Sequence, residues 1–213
     1  MKGLDPEIAR MDPVSGLIVL PPFQQSGQVS VEQALQSRRS VRNYGSETLT
    51  LEQAAQLLWA AQGTIHKSGL RTVPSAGALY PLEIYLIVGN VGGLEAGVYH
   101  YIPISHSLQM KAAGDKRVEV AEAALHQAWM AHAPAMIVIA AVYARTNIKY
   151  GDRTIRYVNM EVGAAAENIY LQAAALELGT VLVGAFYELK VQSALDLTEG
   201  EIPLGIMPVG RKG

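Results

Sequence analysis

The chain of 213 residues contains no cysteine. That excludes disulfides, thiolate nucleophiles, iron–sulfur clusters and cysteine-type zinc sites together. Charge is also sparse. Only 17% of residues are Asp, Glu, Lys or Arg, and 17 basic against 19 acidic side chains leave a net charge of −2. So even a balance offers no broad basic surface, and neither nucleic acid nor an anionic membrane is expected as a partner. No apolar run approaches the roughly 18 residues of a membrane span. The longest candidate, Ala133–Ala144, is shorter and contains Pro134. The N-terminus carries Lys2, Asp5, Glu7 and Arg10 before the short apolar stretch Leu17–Leu20, which does not spell a signal peptide, so a cytoplasmic location is expected. The chain also lacks a G-x-G-x-x-G turn after a strand, a Walker A loop and a G-x-S-x-G elbow. Its histidines, His66, His100, His106, His126 and His132, show no ligand spacing such as H-x-x-x-H, and no metal site is expected.

What remains is an apolar chain, 50% hydrophobic, of a length that folds as one domain burying roughly 70% of its unfolded surface. Residues 1–29 are rich in Pro, Gly and Gln and lack periodicity, which predicts an extended arm over the core or a neighbouring subunit. Residues 30–213 form the domain proper. Two helices open with capping-box spelling, Ser30-Val31-Glu32-Gln33 and Thr50-Leu51-Glu52-Gln53. Buried strands are expected at Glu83–Gly89, Val98–Ile104, Ser107–Lys111, Ala135–Val142, Thr180–Phe186 and Leu204–Val209. Helices are expected at Val118–Ala131, Arg153–Leu178 and Leu189–Leu195. The Arg153–Leu178 helix is apolar on most faces and belongs in a core or a subunit interface. Helices and strands interleave irregularly, so the class is α+β around a mostly antiparallel sheet.

Four constellations carry candidate chemistry. Arg38, Arg39, Ser40 and Arg42 place three guanidiniums and a hydroxyl within five residues, a set that suits phosphate oxygens. The same arginines also suit the negative end of a preceding helix. Pro74-Ser75-Ala76-Gly77-Ala78-Leu79-Tyr80-Pro81 is a small-residue loop whose backbone can approach a flat ligand, or an ordinary Pro/Gly turn. Val183-Gly184-Ala185-Phe186 removes side-chain bulk at a strand end. Lys149 and Tyr150 sit among Arg145, Arg153 and Arg156. Partial burial there would lower the lysine and fit it for general-base work, whereas full solvation would leave only a basic helix start.

Together and in this order, these segments resemble the nitroreductase superfamily of FMN-dependent oxidoreductases, over roughly Val29 to Arg211. "RRSVRNY" (Arg38–Tyr44) is similar to that family's phosphate-binding R-x-S-x-R/K-x-F/Y, and "PSAGALYPLEIYLI" (Pro74–Ile87) to its P-S-x(5)-P segment. "GAAAENIYLQAAALELGTVLVGAF" (Gly163–Phe186) is similar to its interface helix and flavin-contacting strand end, and "PLGIMPVGRKG" (Pro203–Gly213) to its last core strand. "PSAGALYP", "VGAF" and "IKYGDRTIRYVNMEVG" resemble the SagB/ThcOx-type branch, in which a Lys-Tyr pair matched here by Lys149 and Tyr150 contributes to azoline oxidation. Many relatives continue past the last strand with an extension that embraces the partner; here Arg211 and Lys212 remain for that part, and no peptide-recognition domain is seen.

The resemblance implies an α+β sandwich forming an intertwined homodimer with FMN at its interface. On that pattern Arg38, Arg39, Ser40, Arg42 and Arg211 hold the phosphate. Pro74, Ser75, Ala76, Gly77 and Leu79 line the ring, and Val183, Gly184 and Ala185 approach its edge. The implied cycle is ping-pong hydride transfer through flavin N5, with NAD(P)H as donor and a nitroaromatic or quinone as acceptor. Two alternatives stand beside it. One is a SagB/ThcOx-type dehydrogenase of an azoline-like or other organic substrate, with Lys149 or Tyr150 taking the proton. The other is a catalytically silent flavin-binding or structural partner.

Overall fold

The computed structural model describes residues 10–213; the outer part of the expected arm, residues 1–9, lies outside the described residues. Two nearly unbroken apolar strands organise the rest. β3 (Leu82–Val88) pairs antiparallel with β6 (Ala135–Val142), Leu82 opposite Ala141 and Val88 opposite Ala135. A strand that is apolar at every position must be covered on both faces. Accordingly Leu82, Ile84, Leu86, Ile137 and Ile139 enter one core, while Tyr85, Ile87, Met136 and Val138 enter a second on the other face. Helices α2 (Leu51–Gln62) and α5 (Thr154–Ala175) close the first core; α3 (Arg117–Ala123) and α6 (Glu188–Ala194) close the second.

The sheet extends outward from this pair. β1 (Arg10–Met11), β2 (Ile18–Val19), β4 (Gly97–Ile102), β5 (Ser107–Ala113), β7 (Leu178–Thr180) and β8 (Glu201–Arg211) complete eight strands in the order β1-β2-β5-β4-β3-β6-β8-β7. Every pairing between these strands is antiparallel. The expected α+β class with an antiparallel sheet flanked by helices is therefore the observed one. Both capping boxes are formed, at α1 (Val31–Ser37) and at α2, with each cap side chain and the glutamine three residues on satisfying each other's backbone amide. The described part of residues 1–29 is fastened to the core. β2 joins the sheet edge at β5, Phe23 stacks on Trp59 at 4.7 Å, and Gln24 exchanges two hydrogen bonds with Gln56 (2.8 and 3.1 Å).

Four elements depart from the sequence reading. The helix expected over Val118–Ala131 stops at Ala123, because Leu125 and His126 are left-handed (φ 56° and 58°) and Gln127 turns its amide onto the Ala124 carbonyl at 2.9 Å. A 3-10 turn, Ala128–His132, follows and buries Met130. The strand expected over Thr180–Phe186 is regular only through Thr180. Leu182 leans over Gly205, where even a Cβ would lie 2.7 Å from its Cδ1, so only Val183 rejoins β8, at Ile206. An unexpected helix, α4 (Tyr143–Tyr150), turns off the end of β6 and carries Lys149 and Tyr150 on its last turn. α5 runs from Thr154 to Ala175, slightly inside the expected limits, after a 3-10 turn at Gly151–Arg153.

Tyr44 joins the arginine segment to this framework. Its hydroxyl reaches the carbonyls of Val41 (2.8 Å) and Pro208 (3.1 Å), and burial pushes its ionisation far above the usual phenol range. Tyr44→Phe leaves buried carbonyls without that donor. It is expected to lower unfolding stability by about 1–2 kcal/mol in denaturant titration; an unchanged midpoint would mean that water replaces the hydroxyl.

Candidate active site

α5 sorts the candidate residues into two groups. It buries a stripe of Val158, Val162, Ala165, Ile169 and Ala173 against the sheet. At about 100° per residue, Glu161 and Tyr170 fall on opposite flanks of that stripe, roughly half a turn apart. Each flank gathers one part of the sequence pattern.

On the Tyr170 flank, the Arg38 guanidinium lies 5.0 Å from the tyrosine ring centroid and the Ser40 hydroxyl 3.5 Å from the tyrosine oxygen. That oxygen accepts the Leu182 amide at 2.7 Å, which ties the segment leading to Val183, Gly184 and Ala185 to the same place. Ser40 and Thr180 form a parallel bridge, with the Val41 amide donating to the Thr180 carbonyl at 3.0 Å. Gly184 and Ala185 are exposed, and a Cβ on Gly184 would meet nothing within 4 Å. The remaining arginines do not join this contact. Arg39 turns onto the carbonyls of Gln36 and Arg38 (both 2.9 Å), Arg42 lies 6.0 Å over Trp129, and Arg211 pairs with exposed Glu177 at 3.2 Å. An ion pair so open to water holds Arg211 weakly.

On the Glu161 flank lies the loop Pro74–Tyr80. Gly77, Ala78 and Tyr80 are all left-handed (φ 63°, 53° and 45°), a strained course for the two that are not glycine. The Glu161 carboxylate accepts the Ser75 hydroxyl (3.0 Å) and the Ala76 amide (2.9 Å), and Ser75 Oγ accepts the Tyr80 amide (2.9 Å). Arg145 donates to the Tyr80 carbonyl (2.9 Å), and Arg71 lies 4.6 Å over the Tyr80 ring. The end of α4 arrives here. A Cβ on Gly77 would sit 3.0 Å from the Tyr150 hydroxyl and 3.2 Å from Lys149 Nζ, so two segments 70 residues apart in sequence meet at one glycine. Pro74 and Gly77 are exposed, and Ser75, Ala76 and Leu79 half-buried. Lys149 is exposed in the single chain, so of the two alternatives weighed from the sequence the single chain shows the solvated one.

Comparison with known proteins decides the family. The profile of the nitroreductase family matches residues 35–211. The chain belongs to the nitroreductase family. A Methanocaldococcus jannaschii protein named as a nitroreductase is 50% identical over 185 residues, 87% of this chain and 92% of that one. A crystal structure described as a nitroreductase from Ralstonia eutropha superposes with a TM-score of 0.80 at 29% identity, covering 100% of this chain and 96% of the other. The Escherichia coli microcin B17-processing protein McbC is 27% identical over 134 residues, 61% of this chain and 49% of that protein, a similarity that points to the SagB-type branch. The expected oxidoreductase class follows from the family.

Within this nitroreductase-family chain, sequence reasoning missed Tyr170, Glu161 and the network behind the loop. Glu161 carries the one clear signal. It is a carboxylate beside the apolar stripe of a helix, three residues after Val158, and only 5% exposed. Burial pushes its carboxyl up, against the Ala76 and Ser75 hydrogen bonds and the nearby Arg71 charge. Behind the loop, Glu83 pairs with His100 (2.7 Å) and with Arg145. Burial would raise Glu83 too, but the His100 hydrogen bond and the Arg145 guanidinium outweigh it and hold the carboxyl below its ordinary value. The folded state thus gains stability from Glu83 above the ordinary value of 4.5 and loses it as pH falls through the lower folded value. Glu83→Gln is therefore expected to flatten the acid limb of the stability–pH profile below about pH 4.5. An unaltered acid limb would show that other carboxylates govern it.

Proposed function

We propose that the chain is an FMN-dependent oxidoreductase acting as a homodimer, each site built from the Tyr170 flank of one copy and the Glu161 flank of the other. The observation that carries this reading is the pair of flanks itself. Arg38 and Ser40 on one side, and Gly77, Lys149 and Tyr150 on the other, are turned away from each other by α5. Neither group alone encloses a ligand, and a second copy supplies the missing half. The outward face of α5 has room for it. Met160 is 62% exposed there, and Gly163 would show a Cβ nothing within 4 Å.

The residues present fit FMN. The guanidiniums of Arg38 and Arg42 pair with no carboxylate among the described residues, which leaves them free for a phosphate. Arg39 needs only to release two carbonyls, and Arg211 a solvent-exposed partner, to add to that charge. Bound FMN supplies two-electron hydride chemistry at N5. Pro74, Ser75, Ala76, Gly77 and Leu79 give the ring a wall of small groups and backbone. Val183, Gly184 and Ala185 give its edge an approach clear of side-chain bulk. In the principal reading NAD(P)H surrenders a hydride, and a nitroaromatic or quinone takes up the same two electrons.

A second reading rests on the approach of Lys149 and Tyr150 to Gly77 and on the similarity to McbC. Here an organic substrate would give up a hydride to the flavin, Lys149 or Tyr150 would take the accompanying proton, and oxygen or another acceptor would take the two electrons away. Nicotinamides separate the two. Rapid bleaching of the flavin by NADH or NADPH supports the first. Bleaching by neither, with turnover lost by roughly a hundredfold in Lys149→Ala, supports the second.

The two-copy site has its own test. Arg38→Ala and Gly77→Val homodimers are each expected to bind FMN at least tenfold more weakly than wild type, since each spoils both sites. Mixed and re-associated, they are expected to recover roughly a quarter of the tight sites, because random pairing gives half heterodimers with one intact site each. No recovery on mixing would mean that each site is built within one chain.

A further inference from the structure

The Pro74–Tyr80 loop commits its amides unevenly. Of the five backbone N–H groups from Ala76 to Tyr80, Ala76 donates to Glu161, Ala78 to the Ser75 carbonyl (3.0 Å), Leu79 to the Ala76 carbonyl (3.4 Å) and Tyr80 to Ser75 Oγ. Gly77 alone among them has no protein acceptor among the described residues. It is exposed, and Lys149 Nζ and Tyr150 OH flank the position of its missing Cβ. The uncommitted amide thus belongs to the one residue whose Cβ would crowd both of these side-chain donors.

The left-handed run that presents this amide does not hold itself. Ala78 and Tyr80 sit in a region that costs non-glycine residues of order 1–3 kcal/mol each. The restraint comes from α5, 85 residues away in sequence, through one carboxylate oxygen of Glu161 that takes both Ser75 and Ala76. Its other oxygen is buried with no partner among the described residues. A carboxylate left half-satisfied in a core is costly. Its placement makes sense at a loop whose exact shape matters more than its stability.

We propose that Glu161 is a positioning residue: through Ser75 and Ala76 it fixes the loop so that the Gly77 N–H, beside Lys149 and Tyr150, is delivered to a hydrogen-bond acceptor on the bound flavin ring. This rests on the FMN reading for the ligand, but the holding of the loop is independent of it.

The test uses the full chain with Glu161→Ala and Glu161→Gln, each read by amide hydrogen exchange without cofactor and by FMN titration. Glu161→Ala is expected to speed exchange at Ala76 and Tyr80 at least tenfold, to leave β6 protected, and to weaken FMN binding about tenfold or more. Glu161→Gln keeps a carbonyl oxygen for both loop donors and is expected to restore both properties to within about threefold of wild type. Unchanged loop exchange and FMN affinity in Glu161→Ala would overturn the proposal, as would failure of glutamine to rescue. If Glu161→Ala loosens β6 as well, Ser75→Ala decides. Faster exchange at Ala76, whose acceptor is Glu161 and not Ser75, with β6 still protected supports the holding role, and unchanged exchange there overturns it. If wild-type protein takes up no FMN, the cofactor reading fails by itself, while the exchange comparison still decides whether Glu161 holds the loop.

Discussion

The burial of one face of α5 is the constraint on which the arrangement of the candidate site depends. Val158, Val162, Ala165, Ile169 and Ala173 must face the sheet, and at 3.6 residues per turn this fixes where every other side chain of the helix points. Glu161 is sent to one flank and Tyr170 to the other. Each then recruits a loop, Ser75–Ala76 to the carboxylate and the Leu182 amide to the phenol. The separation of the two clusters is thus a consequence of helical geometry. Pairing of two copies across the outward face of α5 is how the proposed site would be completed.

The two buried carboxylates behind the loop act on stability in opposite senses. Burial penalises the Glu161 carboxyl at neutral pH, so its charge costs stability that protonation would restore. Glu83 shows the opposite balance, because His100 and Arg145 more than offset its burial. The two carboxylates brace the same loop from different sides. Glu161 takes Ser75 and the Ala76 amide directly, and Glu83 anchors the Arg145 that caps the Tyr80 carbonyl. Functional sites are where such local rules are broken and offset elsewhere.

The core of the fold was legible because its signals are local. Capping boxes span four residues, and the apolar runs of β3 and β6 announce strands covered on both sides. The resemblance of Arg38–Tyr44, Pro74–Ile87 and Gly163–Phe186 to nitroreductases led to the correct family. The break after Ala123 was hidden, since Leu125 and His126 are ordinary helix residues that are left-handed here. α4 was hidden by its polar sequence, and the break in the strand at Leu182 depends on Gly205, which lies 23 residues further on. In the site, the arginine segment and the small-residue loop could be found by composition. Glu161 and Tyr170 could not be paired with them, because their partners lie 85 and 130 residues away. The meeting of Lys149 and Tyr150 with Gly77 likewise exists only once α4 has turned back on the loop.

The most direct measurement of the central claim is the absorbance spectrum of the protein purified without added cofactor, with release and identification of any chromophore. The account predicts a yellow protein with oxidised-flavin bands, releasing FMN at about one per chain as two symmetric sites in a dimer require. A colourless protein that stays colourless in excess FMN would contradict it, and Arg38–Arg42 would then be no more than a cationic patch at a helix end.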